Sequence, residues 1–256
     1  MNTKWIKLLT ATLLLCVSFA TSAWGQNQSS VNSDVAGPNR LFGAAQWYNA
    51  HDSHTSDETI DQEIWGGMVG YQFADREDWY FLMRGMYSGG KGNKTVAGVE
   101  YQPFSHPWFF EGRMGYQFGF GEGQEFGATP YIGYMYASNN TGLKNTATIK
   151  GLHSEFRQHN VNVGILLDWM VMPEFQVGLD IEALFNVRGK LKLSSDTPVL
   201  ASDTKLKNQV NWWFELPLTW QFDTTWDLSF VPFYHKNEFK VKDSDSDDNF
   251  KSNDAR

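Results

Sequence analysis

Apolar and polar side chains alternate along several long stretches of this chain. From Val161 to Val171 every second residue is apolar, whereas the positions between them include asparagine, glycine and aspartate. The stretches 108–120, 175–188 and 210–222 repeat this alternation. A period of two places one kind of side chain on each face of a β-strand. The pattern therefore predicts an all-β protein built from long amphipathic strands.

The length of these segments favours a membrane-spanning β-protein over a soluble one. They run for about 11 to 14 residues, whereas strands of soluble proteins average about five or six and tilted membrane strands need about 9–11. Trp, Tyr and Phe make up 16% of the chain and many of them bracket the alternating segments, as interfacial aromatic residues do in membrane proteins. We therefore expect an antiparallel transmembrane β-barrel. The structural alternative is a soluble lipocalin-like barrel, which would turn its apolar face inward.

The connections between the segments alternate between short turns and long polar loops, as in membrane barrels. Short turns are predicted at 74–78, 172–174 and 223–225, and long extracellular loops at roughly 50–60, 138–157 and 189–208. The corresponding strands are predicted at 40–49, 62–73, 79–89, 107–120, 127–138, 156–171, 175–190, 208–222 and 226–241.

The strand count leaves two alternatives open. Residues 93–103 also alternate, but we expect them in a large extracellular loop as a hairpin arm, which leaves nine spanning strands. Bacterial single-chain barrels normally have an even number. Either a closing strand follows the acidic residues 242–256, which would then be a truncated extracellular loop, or residues 93–103 span and this segment is a periplasmic tail. The first is the preferred hypothesis, with a barrel over residues 40–241 and about 10 strands (8–12) in all.

The N-terminus has the pattern of a secretory signal peptide over residues 1–25. Lys4 and Lys7 precede a short apolar run that ends in small residues, with Ala23 at a suitable cleavage position. Cys16, the one cysteine, lies inside this run, so the exported chain would have no disulfide. A periplasmic N-terminal segment would cover residues 26–39, and the protein would reach the outer membrane of a Gram-negative cell.

Composition narrows the possible partners. The formal net charge of the 256-residue chain is −8, and an acidic surface argues against nucleic-acid binding. No apolar stretch of 18 residues follows the signal, which excludes a spanning helix there. The expected partners are outer-membrane lipid, lipopolysaccharide and the barrel assembly machinery. No cofactor is expected.

Several segments resemble the small bacterial outer-membrane β-barrel proteins that include OmpA-like and OmpW-like members. The resemblance lies in WFFEGRMGYQF at 108–118, TPYIGYMY at 129–136 and the paired strands around the turn at 172–174. It covers most of the chain but is a pattern of strands and turns, with no active-site motif. It implies an outer-membrane location, and the functions of such proteins are diverse. Arg256 departs from the family pattern, in which the last strand ends in an aromatic residue.

The polar faces of the predicted strands carry charged residues that would point into the lumen. The candidate lumen network consists of Arg84, Glu111, Arg113, Asp168, Asp180, Glu182 and Glu215, and Glu63, Arg188 and Asp227 lie on the same kind of face. Side chains can largely fill a barrel of eight to ten strands, so these groups are expected to close the lumen by ion pairing. In a water-filled pore the excess of acids would instead favour cations.

Other candidate chemistry is weaker. His153, Ser154, His159 and His235 lie near predicted rims and could serve a hydrolase, but their spacing establishes no catalytic arrangement. His51 and His54 with nearby aspartates could bind a metal ion weakly, and the DSDSDD run at 243–248 could bridge divalent cations to lipopolysaccharide. We predict no catalytic residue and no metal site. Three functions stay open, in order of preference: a structural or surface-interaction barrel, a small passive cation-preferring channel, and a rim hydrolase.

Overall fold

The computed structural model contains only β-strands, turns and irregular segments among the residues that it describes. These are residues 15–16, 39–55, 58–75, 77–92, 94–96, 99–121, 123–143, 152–195, 202–222 and 227–236. The first strands are β1 (Leu15–Cys16), β2 (Asn39–Thr55), β3 (Glu58–Ala74), β4 (Trp79–Gly92), β5 (Lys94–Val96), β6 (Val99–Tyr101), β7 (Pro103–Tyr116) and β8 (Phe118–Phe120). The others are β9 (Phe126–Leu143), β10 (Leu152–Met172), β11 (Phe175–Ser195), β12 (Ser202–Leu206), β13 (Val210–Glu215), β14 (Leu218–Gln221), β15 (Asp227–Phe230) and β16 (Phe233–Lys236).

One large antiparallel sheet contains most of these strands and curls into an open barrel. Its order is β1, β15, β14, β11, β10, β9, β7, β4, β3 and β2, with β8, β12, β13 and β16 paired beside this path. The predicted all-β antiparallel barrel is therefore confirmed. The described residues include no helix with the length and hydropathy of a membrane span.

Two proline residues explain why the last predicted strands are interrupted. Pro217 separates β13 from β14, and Pro232 separates β15 from β16. Proline has no N–H to donate to a ladder. The backbone continues across both breaks, since the Leu216 N–H donates to the Pro232 carbonyl at 2.9 Å and the Gly178 N–H to the Pro217 carbonyl at 2.7 Å. Counted in this way, the described part of the chain supplies nine long strand paths to the large sheet, at the nine predicted places.

The predicted long loops differ most from the structure. Strands β2 and β3 extend to Thr55 and from Glu58, so the segment predicted as a loop at 50–60 is mostly a hairpin. The ladder between β9 and β10 likewise runs on to the pair Leu143 and Leu152, and β12 pairs with the end of β11. Backbone pairing thus continues beyond the alternating residues, although the side chains there no longer alternate. Strands β5 and β6 form a separate two-stranded sheet, as the preferred hypothesis for 93–103 expected.

The side chains of the barrel are arranged with polar groups inside and apolar groups outside. On β4, Trp79 and Met83 are 52% and 53% exposed, whereas Tyr80 and Arg84 are 2% and 5% exposed. Among the described residues, nineteen buried side chains are polar or charged and only nine are apolar. Soluble proteins show the reverse preference. A soluble barrel with an apolar interior therefore does not describe this chain.

The two edges of the curled sheet approach each other through side chains. The Arg40 guanidinium on β2 pairs with the Asp227 carboxylate on β15 and donates to the Ser229 hydroxyl at 3.3 Å. Farther from the short turns, the ring of Tyr48 on β2 meets the ring of Phe233 on β16 edge to face at 5.8 Å. Within the described residues no backbone ladder joins β2 to β15 or β16, and β1 pairs with β15 at this edge. We call this contact line between β2 and the last strands the seam.

Candidate functional site in the barrel lumen

Strand alternation brings the central charged residues to the inner face of the barrel. Glu111 and Arg113 are two residues apart on β7 and therefore share a face. Arg84 on β4 is the direct cross-strand neighbour of Glu111. Asp180 and Glu182 are likewise two residues apart on β11, and all of these side chains are buried. The sequence pattern alone is enough to place each of these groups on the inner face.

Arg113 is the centre of the cluster because it binds three carboxylates. Its Nε donates to Glu111 Oε1 at 2.7 Å, and its Nη2 donates to Glu182 Oε2 at 2.7 Å. Its Nη1 donates to Asp180 Oδ2 at 2.5 Å. The guanidinium also lies over the ring of Tyr131 at 4.6 Å, and the Tyr131 hydroxyl donates to Asp180 Oδ1 at 2.6 Å. Arg113 therefore ties β7 to β11 across the lumen.

Arg84 extends the cluster to the other side of the barrel. Its Nε donates to Glu111 Oε2 at 2.5 Å, and its Nη1 donates to Glu215 Oε1 at 2.9 Å. The Trp213 indole N–H also donates to Glu215 Oε1, at 2.8 Å. Asn162 donates to Glu111 Oε1 at 2.7 Å, so this buried carboxylate accepts bonds from three side chains. We call Arg84, Glu111, Arg113, Asp180, Glu182 and Glu215 the ionic layer.

Four carboxylates and two guanidinium groups form the ionic layer, so acids exceed bases. Buried charges are stable only when they are paired and hydrogen-bonded. Glu111 and Glu182 are both fully buried. Both oxygens of Glu111 and one oxygen of Glu182 face arginine, whereas Glu182 Oε1 has no hydrogen-bond partner in the described part of the chain. The layer therefore crosses the lumen as a dense, negatively biased network.

An apolar layer lies next to the ionic layer, one pleat farther from the short turns. On β4, β7, β11 and β13 the inward residue two positions away from the ionic layer is apolar in each case: Met86, Phe109, Leu184 and Trp213. Met68, Met135 and Phe233 pack with them. The Phe109 and Trp213 rings meet edge to face at 5.8 Å, and the Arg84 guanidinium lies 5.7 Å from each ring. Ionic and apolar groups thus fill successive levels of the lumen.

Two glycine residues leave room for the interior side chains. A Cβ at Gly164 would lie 2.4 Å from the Tyr131 hydroxyl oxygen and 2.7 Å from the Ile181 carbonyl oxygen. A Cβ at Gly127 would lie 2.1 Å from an oxygen of Asp168. Glycine at these positions therefore permits the close approach of Tyr131 and Asp168 to the barrel wall.

The other predicted lumen residues do not join the ionic layer. Asp168 is buried nearer the short turns, where Gln117 Nε2 and Gln176 Nε2 donate to it at 3.4 and 3.2 Å. Asp227 is buried at the seam with Arg40.

The prediction that Glu63 and Arg188 face the lumen is wrong. Glu63 is exposed and shares the outer face of β3 with Trp65 and Val69, beyond the end of that apolar run. Arg188 is exposed because a register shift between His159 and Asn160 reverses the orientation that simple alternation assigns to it.

A cavity of about 140 Å³ adjoins the ionic layer on the side of the seam. Its wall combines Arg84, Arg113 and Glu215 with apolar side chains such as Met68 and Phe233. This volume is large enough for several water molecules.

The candidate hydrolase residues lie apart in the structure. The Tyr134 hydroxyl hydrogen-bonds with His159 Nδ1, while the Ser154 hydroxyl bonds with Thr141. His153 packs against Phe104 at 5.7 Å, and His235 packs against Trp213 at 4.6 Å on a different strand. No serine–histidine hydrogen bond joins these four candidates. The residues that the structure describes also include no cluster of metal-ligating side chains; the side chains of His51 and His54 and the run 243–248 lie outside the described part.

Sequence reasoning missed three interior groups that support the network: Tyr131, Asn162 and Trp213. Each lies on the inward parity of its strand, and each donates to a carboxylate of the ionic layer. Trp213 could have been found from the sequence, because it lies two residues before Glu215 and therefore on the polar face of the same strand.

Comparison with known proteins gives no further assignment, since neither a protein-family model nor a curated protein matches this chain.

Proposed function

We propose that this protein is an outer-membrane β-barrel with a closed lumen, which serves as a structural or surface-interaction protein of the Gram-negative envelope. The observation that carries the proposal is the inverted side-chain arrangement. An ionic layer of five buried residues and the half-buried Glu215 lies in the interior, and large apolar side chains cover the outside. Such an outer surface is unfavourable in water and is suited to lipid.

The spacing of the aromatic residues on the outer face is consistent with the thickness of a lipid bilayer. On β4 the exposed rings of Trp79 and Tyr87 bracket the apolar positions Phe81 and Met83. Eight residues of strand separate the two rings, which is about 26 Å along the strand. Allowing for tilt, this spacing is compatible with the apolar band of an outer-membrane barrel, about 25 Å tall.

The long hairpins suggest where the protein would meet its partners. Short turns connect β3 to β4 and β10 to β11, and at the opposite end the hairpins β2–β3 and β9–β10 extend beyond the apolar band. Membrane barrels place their longer connections outside the cell. In this proposal the extended hairpins face the exterior and contact lipopolysaccharide, a host or another cell, in line with the resemblance to OmpA-like and OmpW-like proteins.

The alternative function is a small cation-preferring channel, favoured by the lumen cavity and the acid excess of the ionic layer. Conductance of the folded chain in planar bilayers separates the two. Because the ionic and apolar layers fill successive levels of the lumen, we expect no reproducible conductance steps. An electrophoretic band that is compact before boiling and shifts after boiling would first establish that the chain is folded.

Reproducible cation-selective steps that weaken in Asp180→Ala or Glu182→Ala would overturn the closed-lumen proposal in favour of the channel. Glu63→Ala provides the matched control, because this acid is exposed on the outer face. Loss of any steps in this control as well would show that the steps do not come from the lumen.

A further inference from the structure

Three adjacent strands carry a row of basic residues on the outer face of the barrel. Arg157 on β10 is the direct neighbour of Lys190 on β11, and Lys190 is the direct neighbour of Lys205 on β12. Arg188 lies two residues before Lys190 on β11, and Lys207 lies two residues after Lys205, directly after the end of β12. We call these five residues the basic patch.

The basic patch begins where the apolar outer surface ends. On β11 the exposed apolar residues Phe185 and Val187 are followed directly by Arg188. On β10 the outward position after Val161 is His159, and the next is Arg157. His159 contacts the ring of Tyr136 at 4.9 Å. In membrane proteins, aromatic side chains at such a boundary lie at the level of the lipid headgroups.

This local concentration of positive charge is unusual in an acidic protein. The chain has 29 acidic residues against 21 lysines and arginines. Like charges placed directly opposite on neighbouring strands destabilise a sheet. Within the patch Arg157 pairs with Glu155 at 2.7 Å, and Arg157, Lys190 and Lys207 also interact with other groups. Lys192 lies in the next row, between Glu155 and Asp203. The row formed by Arg157, Lys190 and Lys205 brings three positive charges together, and ion pairs at an exposed surface are weak enough for an anion to compete with them.

Phosphate is the anion that this geometry fits best. Arginine presents a planar pair of donors to phosphate oxygens, and lysine adds point charges. Neighbouring strands lie about 4.8 Å apart, so three basic side chains in one row can surround a headgroup bearing phosphate. Acyl chains below such a headgroup would lie against Phe185, Val187 and Val161.

We propose that the basic patch binds the phosphate groups of a lipid A-type lipid at the outer surface of the membrane. The inference rests on the proposed function, because it requires the apolar face below the patch to lie in lipid. It names the binding site, the ligand class and the residues: Arg157 and Lys190 at the centre of the row, with Lys205, Arg188 and Lys207 around them.

Native mass spectrometry of the folded full chain in detergent, titrated with bisphosphorylated lipid A, tests the proposal. We expect saturable binding that weakens as ionic strength rises. The double variant Lys190→Gln/Lys205→Gln should bind about thirtyfold more weakly, given the usual contribution of each basic residue near an anionic lipid surface. Lys190→Arg/Lys205→Arg should retain binding, because it keeps both charges.

Lys91→Gln/Lys236→Gln is the matched control, since it removes two exposed positive charges outside the patch. Equal weakening in this control would overturn the proposal and leave only an effect of net charge. Competition by inorganic phosphate at the same concentration as lipid A would identify a general phosphate site and overturn the lipid as ligand.

A separate measurement distinguishes failure of this inference from failure of the proposed function. The wild-type chain is inserted into neutral phosphatidylcholine vesicles and tested for a compact unboiled band. If it inserts and yet binds lipid A no better than the double variant does, the basic patch is not a lipid site, although the membrane barrel stands. If it does not insert at all, the proposed function fails, and this inference fails with it.

Discussion

Arg113 is the residue on which the interior depends most. Its guanidinium binds Glu111, Asp180 and Glu182 at 2.5–2.7 Å in a place that is closed to solvent. Removing one partner of a buried ion pair leaves an uncompensated charge, which costs about 3–5 kcal/mol. Three carboxylates would lose a partner here together.

We therefore expect Arg113→Met to lower the free energy of unfolding by at least about 3–5 kcal/mol. Denaturant titration of the refolded protein, followed by the shift of the unboiled band, measures this change. Arg188→Met is the control on the outer face, where a substitution changes stability by about 0.5 kcal/mol. Equal stability of the two variants would show that the ionic layer does not hold the barrel together.

Gly164 determines the position of Tyr131 and thereby of Arg113. A methyl group at this position would collide with the Tyr131 ring and the Ile181 carbonyl. We expect Gly164→Ala to lower the free energy of unfolding by about 1–3 kcal/mol, the usual cost of overpacking. The same titration applied to Gly112→Ala is the control, because a Cβ there meets no atom within 4 Å. Stability unchanged by Gly164→Ala would contradict this role.

Parity along the strand gives the right face for several interior residues and for Glu63, but not for Arg188. Arg84, Glu111 and Arg113 lie on regular strands, where alternation gives the right face. Arg188 follows a register shift at His159, which no feature of the sequence reveals. Glu63 has the outward parity of β3, but its charge resembles that of the lumen residues. The pairing of each carboxylate with a particular arginine depends on the curvature of the sheet, which the sequence does not specify.

At the scale of the strand, alternation on β4 separates an outer apolar face from an inner polar one. Met83 lies midway between the outer rings of Trp79 and Tyr87 and is half exposed. In water, a substitution at such a position would have little effect. In a bilayer, a charge near the midplane of a barrel strand costs about 2–4 kcal/mol.

We expect Met83→Arg to destabilise the protein by about 2–4 kcal/mol in phosphatidylcholine vesicles. Unfolding by denaturant in these vesicles gives the value, and Met83→Leu provides the apolar control. An arginine variant as stable as the leucine variant would mean that this face of β4 does not lie in the hydrocarbon.

The ends of the strands were harder to predict than their middles. Within the apolar band, each strand shows alternating apolar and polar residues, and the structure has a strand at each of the nine predicted segments. Beyond the band both faces of a hairpin are polar, so the sequence of β9 and β10 near residues 138–157 looks like a loop. The ladder nevertheless continues, because backbone hydrogen bonds require no particular side chains.

At the scale of the whole molecule, the fold class followed from strand length and alternation, whereas the way in which the sheet closes did not. The contact of Arg40 with Asp227 joins residues 187 positions apart in the sequence. Arg40 lies at the start of the first predicted strand, and Asp227 lies on the last one, which Pro232 interrupts. Nothing in the sequence near either residue indicates that the two would pair. The charged side chains on the inner face, by contrast, could be predicted from alternation along the strands.

The seam also gives the molecule a direction of mechanical weakness. An interior strand such as β10 is held by ladders on both sides, whereas the described residues give β2 a long ladder only with β3. A force that extracts strands from the sheet must break two rows of hydrogen bonds to remove β10 but only one to remove β2. Under load the barrel would therefore fray from the seam, with the Arg40–Asp227 contact breaking first and the ionic layer serving as the barrier to further tearing.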